Sequence, residues 1–124
     1  MTVGEVKGGD VFVSVTLKGP TRDLAVEAAI DTGFNRYLTL PPRLMAEFGH
    51  GFVDRVEMTL ADDRPVICNG MMVELEFGGR SMSVPAVELG TDQRVGMALL
   101  DGHRLTIDVT EGGRVAVEPL FPAT

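Results

Sequence analysis

Tryptophan is absent from this 124-residue chain, and cysteine occurs once, at Cys68. A lone cysteine makes no internal disulfide, so the fold must rest on its apolar core, and a reducing, cytoplasmic setting is expected. Histidine is almost as scarce. His50 and His103 stand far from each other and from Cys68, so no zinc-ligand spacing exists, and neither a metal nor a cofactor is expected. Asp101 and Asp108 do not have calcium-loop spacing, and Leu105 and Ile107 lie between them. No apolar run approaches the length of a membrane-spanning helix, so no membrane partner is expected. Met1-Thr2-Val3-Gly4-Glu5 is not a basic segment followed by an apolar one, so no secretory signal is expected. Cations are the minority charge, 11 Lys and Arg against 18 Asp and Glu, for a net charge of −7. That field repels a phosphate backbone and no basic stripe offsets it, so nucleic acid is not an expected partner. No Gly-rich loop joins a strand to a helix, which leaves nucleotide binding unsupported.

What is present suits one β-rich domain spanning residues 1–124. A hydrophobic fraction of 44% suffices for a core, while 15 glycines and 7 prolines interrupt the chain too often for long helices. Val11, Val13, Val15 and Leu17 alternate with Phe12, Ser14, Thr16 and Lys18, which predicts a strand with one apolar face. Gly19 to Asp23 reads as a turn, and Leu24 to Ile30 as the returning strand of a hairpin. Tyr37 to Leu40 reads as a short strand. Pro41-Pro42 then opens a helix carrying Leu44, Met45 and Phe48 at helical spacing, with Gly49 as its stop. Further strands are expected over Arg55 to Leu60, Pro65 to Asn69, Met71 to Phe77, Ser81 to Leu89, Leu105 to Val109 and Val115 to Glu118. The turn between the first two covers Ala61 to Arg64, and a second short helix covers Ala98 to Asp101, ended by Gly102. The expected fold class is therefore all-β and mostly antiparallel, with one or two short helices.

One tripeptide carries chemistry. Ala28-Ala29-Ile30 leads out of a predicted strand into Asp31-Thr32-Gly33. By ordinary residue frequencies that tripeptide arises by chance in roughly one chain of this length in forty, and as such it would be a strand-end turn. Its context adds two features. Arg94-Val95-Gly96-Met97-Ala98-Leu99-Leu100 supplies an apolar-Gly step before a short helix, and the hairpin bearing Asp62 and Asp63 lies between the two segments.

In that order, over roughly Val11 to Leu120, the chain resembles a retropepsin-like aspartic peptidase. It is most similar to the small bacterial single-domain members, which carry stretches like Ile30 to Asn35 followed by Leu38 to Pro42, and an ending like Gly96 to Gly102. The resemblance implies an acid-protease half-barrel closed as a homodimer, with Asp31 as the catalytic acid and Thr32 and Gly33 in its loop. Phe34, Asn35, Arg36, Asp62, Asp63, Val95 and Gly96 would border the substrate, a polypeptide. The chemistry needs two carboxyls: one takes a proton from water while the other, protonated, polarises the carbonyl. Two acids so close share one proton and titrate as a pair, an effect for which aspartic peptidases are the standard example. A glycine permits a tight turn, and the threonine hydroxyl and loop amides can fix the carboxylate. One copy of the motif and no internal repeat mean that an active enzyme needs a second chain, related by two-fold symmetry. The resemblance implies that terminal strands, Thr2 to Val6 and Val115 to Leu120, help to form that interface.

The chain departs from the family in three neighbouring places. Phe34 stands where Ala or Ser is usual, and it would line the cleft or fill the space beneath it. Asn35 and Met97 stand where retroviral enzymes pair an Asp with an Arg. Arg36 follows directly, and reads either as a holder of substrate carboxylates or as a solvated loop cation. These departures motivate an alternative, a retropepsin-fold dimer that binds peptides or a protein partner without cleaving them. A monomeric regulatory module is a third reading, and solution size separates it from the others. Cys68 reads as a strand residue, not a nucleophile.

Overall fold

The computed structural model describes residues 1–60 and 62–121, and all side chains among them except those of residues 52 and 53. Ala61, the first residue of the expected turn, and the last three residues of the expected domain lie outside the described residues. The chain is mostly β. Its strands are β1 (Thr2–Lys7), β2 (Asp10–Lys18), β3 (Asp23–Ile30), β4 (Leu38–Leu40), β5 (Gly49–Thr59), β6 (Pro65–Phe77), β7 (Arg80–Glu88), β8 (Arg94–Val95), β9 (His103–Ile107) and β10 (Arg114–Pro119). Two short helices interrupt them, α1 (Pro42–Phe48) and α2 (Met97–Leu100).

The alternation in β2 works as its pattern predicts. Val13, Val15 and Leu17 are at most 1% exposed and face the core, while Ser14 faces solvent. α1 begins after Pro41, whose fixed φ suits a helix entry, and buries Leu44, Met45 and Phe48. It ends at Gly49, whose N–H caps the Met45 carbonyl. A Cβ at Gly49 would meet that oxygen at 2.7 Å, so a larger residue would displace the cap.

Pairing runs β5-β6-β7-β4-β8-β3-β2-β1-β10-β9, and an additional β6–β2 pairing folds the sheet back on itself. Six strands thereby form a closed ring: β2, β3, β8, β4, β7 and β6. The closure is short, Thr16 to Lys18 against Glu76 to Glu74. Inside lie Val15, Leu17, Leu38, Leu40, Val73, Leu75 and Val95, each 0% exposed. Burying each leucine contributes roughly 1.5–3 kcal/mol, so the ring is held from within as well as by its ladder. Lys7 with Glu27 and Arg22 with Glu47 add surface ion pairs at 2.6 Å. The Arg22 guanidinium holds the Glu47 carboxyl below its usual range, but pairs this exposed contribute little.

Several expectations shift. β5 starts at Gly49 directly after α1, where a strand was expected only from Arg55, and its register against β6 shifts between His50 and Asp54. β6 is one strand of 13 residues instead of two, because Gly70 continues the ladder with Asp54 on one side and Val87 on the other. Two pairings are parallel, β3 with β8 and β4 with β7, although the pattern suggested antiparallel neighbours. They span two and three residue pairs, too short to leave a periodic signature. The terminal strands are each flanked by two others. β1 lies between β2 and β10, and β10 between β1 and β9, so both are already paired within the chain.

Leu17 lies at the ring's closure, on a strand hydrogen-bonded on both sides. Leu17→Ala is expected to cost about 3 kcal/mol in urea denaturation, since the cavity has little room to collapse. A loss under about 1 kcal/mol would show that the β2–β6 closure is not part of the stable core.

Candidate active site

β3 ends at Ile30, directly before the Asp31-Thr32-Gly33 loop. Ile30 pairs with Val95, and the next backbone N–H, from Asp31, donates to the Val95 carbonyl at 2.9 Å. The chain then turns, the Phe34 N–H donating to the Asp31 carbonyl at 3.1 Å. Three donors from the other segment grip this loop. The Gly96 N–H donates to the Tyr37 carbonyl at 3.0 Å, the Met97 N–H to Phe34 at 2.8 Å, and the Ala98 N–H to Arg36 at 3.2 Å. Such an approach requires Gly96. A Cβ there would lie 2.1 Å from the Arg36 oxygen, 2.5 Å from Phe34 Cδ2 and 2.7 Å from the Phe34 oxygen.

The Asp31 carboxylate is half-buried, and its Oδ1 accepts the Gly33 N–H at 3.0 Å. The expected lock on the carboxylate thus comes from a loop amide, while Thr32 is exposed. Gly33 is needed for a different reason than a tight turn. Its φ is not positive, but a Cβ would sit 3.3 Å from Asp31 Oδ1 and crowd the carboxylate. Phe34 is 8% exposed and fills the space against Gly96, with part of it reaching the cleft surface.

The carboxylate opens onto a cleft of about 720 Å³. The loop contributes Asp31, Gly33, Phe34, Asn35 and Arg36, and the far wall is the β5 segment Glu57 to Leu60. Thr39, Leu89 and Arg94 complete it. A second hollow of about 390 Å³ shares Asn35 and Arg36 but is otherwise mainly apolar, with Val56, Met71, Met72 and Pro85. The β5–β6 hairpin separates itself from the ring to form this wall. Pro65 to Asn69 pair only with β5, whereas β7 joins from Gly70 onward.

Asp62 and Asp63 are exposed in the turn of that hairpin. Asp62 accepts from the Arg64 side chain, Asp63 has φ 64°, and neither borders the cleft. The strand below them, Glu57 to Leu60, does so instead. Val95 and Gly96 are buried and stand behind the loop, holding it in position. Sequence reasoning passed over Arg94, although strand alternation beside the buried Val95 was a signal that its side chain faces the other way. Asn35 and Met97 are both exposed.

Other reactive groups lie elsewhere. Cys68 is buried, and burial, followed by the Glu88 charge, pushes its thiol up, which disfavours the nucleophilic thiolate. His103 packs edge-on against Phe77 at 5.5 Å, its Nδ1 3.0 Å from the Asp101 carbonyl. His50 Nε2 is 3.3 Å from Glu74 on the surface. Among the described residues no three His, Cys, Asp or Glu side chains converge, and no helix is long and apolar enough to cross a membrane.

No protein-family model matches this chain, and no curated protein matches it.

Gly96→Ala is expected to cost about 3 kcal/mol or more, because the added carbon collides with backbone that cannot move aside without releasing the Asp31 loop. Thermal unfolding measures it. A variant within about 0.5 kcal/mol of the parent would contradict the gripped-loop geometry.

Proposed function

We propose that the chain is one half of an aspartic endopeptidase of the retropepsin-like type. Asp31 and its counterpart from a second copy would share one proton and activate a water against a peptide carbonyl. The observation that carries this reading is the docking of the Asp31-Thr32-Gly33 loop onto Val95 and Gly96, with a half-buried carboxylate at the floor of a cleft. The closed ring of six strands suits the half-barrel that the resemblance implies.

The steps follow from the positions of the groups. An extended polypeptide enters between the loop and the β5 wall and is held as an added strand. One carboxylate of the pair takes a proton from water while the protonated partner donates to the carbonyl oxygen, and the roles reverse as the amine leaves. The Gly33 N–H on Asp31 Oδ1 fixes which carboxylate oxygen stays free to face the substrate. No metal and no cofactor takes part in these steps.

A second copy is needed because the chain carries a single such loop. Since β1 and β10 are paired on both edges, the two copies would meet through faces and strand ends. Met1, Val3, Leu120 and Phe121 are exposed large apolar side chains near one end of the β1–β10 pair, and they offer surface for that contact. The lone Cys68 suits a reducing, cytoplasmic setting.

A second reading is a dimer that binds peptides without cutting them. It is favoured by exposed Asn35 and Met97, where retroviral enzymes place an ion pair. Cleavage of an unfolded protein from acid to neutral pH separates the two. Asp31→Asn is expected to lower the rate by at least about 10²-fold, and light scattering is expected to give a dimer. Equal rates in parent and variant would end the endopeptidase reading. Peptide binding without cleavage at any pH would favour the second.

A further inference from the structure

The cleft differs in charge from the rest of the molecule. The chain carries −7, yet the ionisable side chains bordering the cleft are Asp31, Glu57, Arg36 and Arg94, two of each sign. Neither arginine is in an ion pair among the described residues, and both are exposed.

Both cations also stand on backbone that cannot wander. Arg94 is on β8, between Ala29 of β3 and Thr39 of β4, and its N–H donates to Thr39 Oγ1 at 3.1 Å. Val95 beside it is 0% exposed, so alternation turns Arg94 to the solvent side. The Arg36 carbonyl is held by the Ala98 N–H at 3.2 Å. Each guanidinium therefore extends from an anchored Cα on an exposed side chain. That is the arrangement suited to binding a carboxylate, with a charge-assisted, bidentate geometry available at each.

We propose that Arg36 and Arg94 make the cleft select extended polypeptide carrying an acidic side chain close to the bond held at Asp31. The inference rests on the reading of the cleft as a polypeptide site, and it does not require that the bond be cut. The net negative charge of the chain opposes approach from a distance, but at physiological ionic strength it is screened over about 8 Å. A carboxylate already in the cleft responds to the two guanidiniums. Glu57 on the opposite wall repels it, so the acid is directed to the loop side.

The test uses a fluorescent peptide with blocked ends and one central Glu, its Gln and Lys counterparts, and the Gln peptide with a free C-terminus. Binding to the full Asp31→Asn chain is read by anisotropy, and cleavage by the parent chain is followed in parallel. The Glu peptide is expected to bind about tenfold more tightly than the blocked Gln peptide. The preference disappears in the Arg36→Gln, Arg94→Gln double variant, and Arg94→Glu shifts it toward a Lys peptide. These are exposed side chains, and circular dichroism checks that the variants remain folded. Equal affinity for the Glu and Gln peptides, or no binding of either at the highest soluble concentration, would overturn the proposal. So would preference for the free C-terminus over the central Glu, which would assign the arginines to the end of a chain. A charge preference in binding without any cleavage would support this inference while overturning the endopeptidase reading. Cleavage with no charge preference would do the reverse.

Discussion

The close approach of Gly96 to the loop after β3 is the constraint on which the rest of the site depends. Four backbone hydrogen bonds join the Asp31–Tyr37 stretch to Val95–Ala98, two segments far apart in sequence. Each contributes about 1 kcal/mol net, and the missing Cβ is what permits three of them to form side by side. The Asp31 carboxylate is thereby held by strand ends and a helix start, elements far stiffer than the loop itself. The proposed reaction requires such support, because a catalytic group must be placed within about 0.5 Å of its productive position.

The same contact sets the surroundings of Phe34, Asn35 and Met97. Phe34 lies against Gly96, with little room for it to move and part of it at the cleft surface. The Met97 N–H ties the later segment to the loop through the Phe34 carbonyl, and the side chains of Asn35 and Met97 are both exposed. Around this point the six-stranded ring is rigid by closure, whereas the β5–β6 arm has only one hydrogen-bonded neighbour along its outer half. The outer half of the arm can therefore shift without breaking any pairing to the ring.

Much of this was legible beforehand, and the reasons are local. The β2 alternation, the Pro41-Pro42 helix entry and the Gly102 turn each carry their own signal, and each forms as read. Asp31, Gly33 and Gly96 come together as their segments suggested. What escaped was set by pairing at a distance. β8 is two residues long and exists only because β3 and β4 flank it, so Arg94 was not seen to face the cleft. The cleft wall on the arm falls on Glu57 to Leu60 and not on Asp62 and Asp63, because the turn overshoots the hollow that the strand borders. The pairing of the two terminal strands with each other, β1 with β10, likewise has no local signal and shows only in their register.

The central claim is that one chain holds half of a catalytic pair. Mixing parent chain with Asp31→Asn under conditions of subunit exchange tests it most directly. If each site needs an intact Asp31 from both copies, an equal mixture retains about a quarter of the activity of the same total amount of parent chain, since only parent–parent dimers act. Retention of about half would mean that each chain works alone, and would contradict the account.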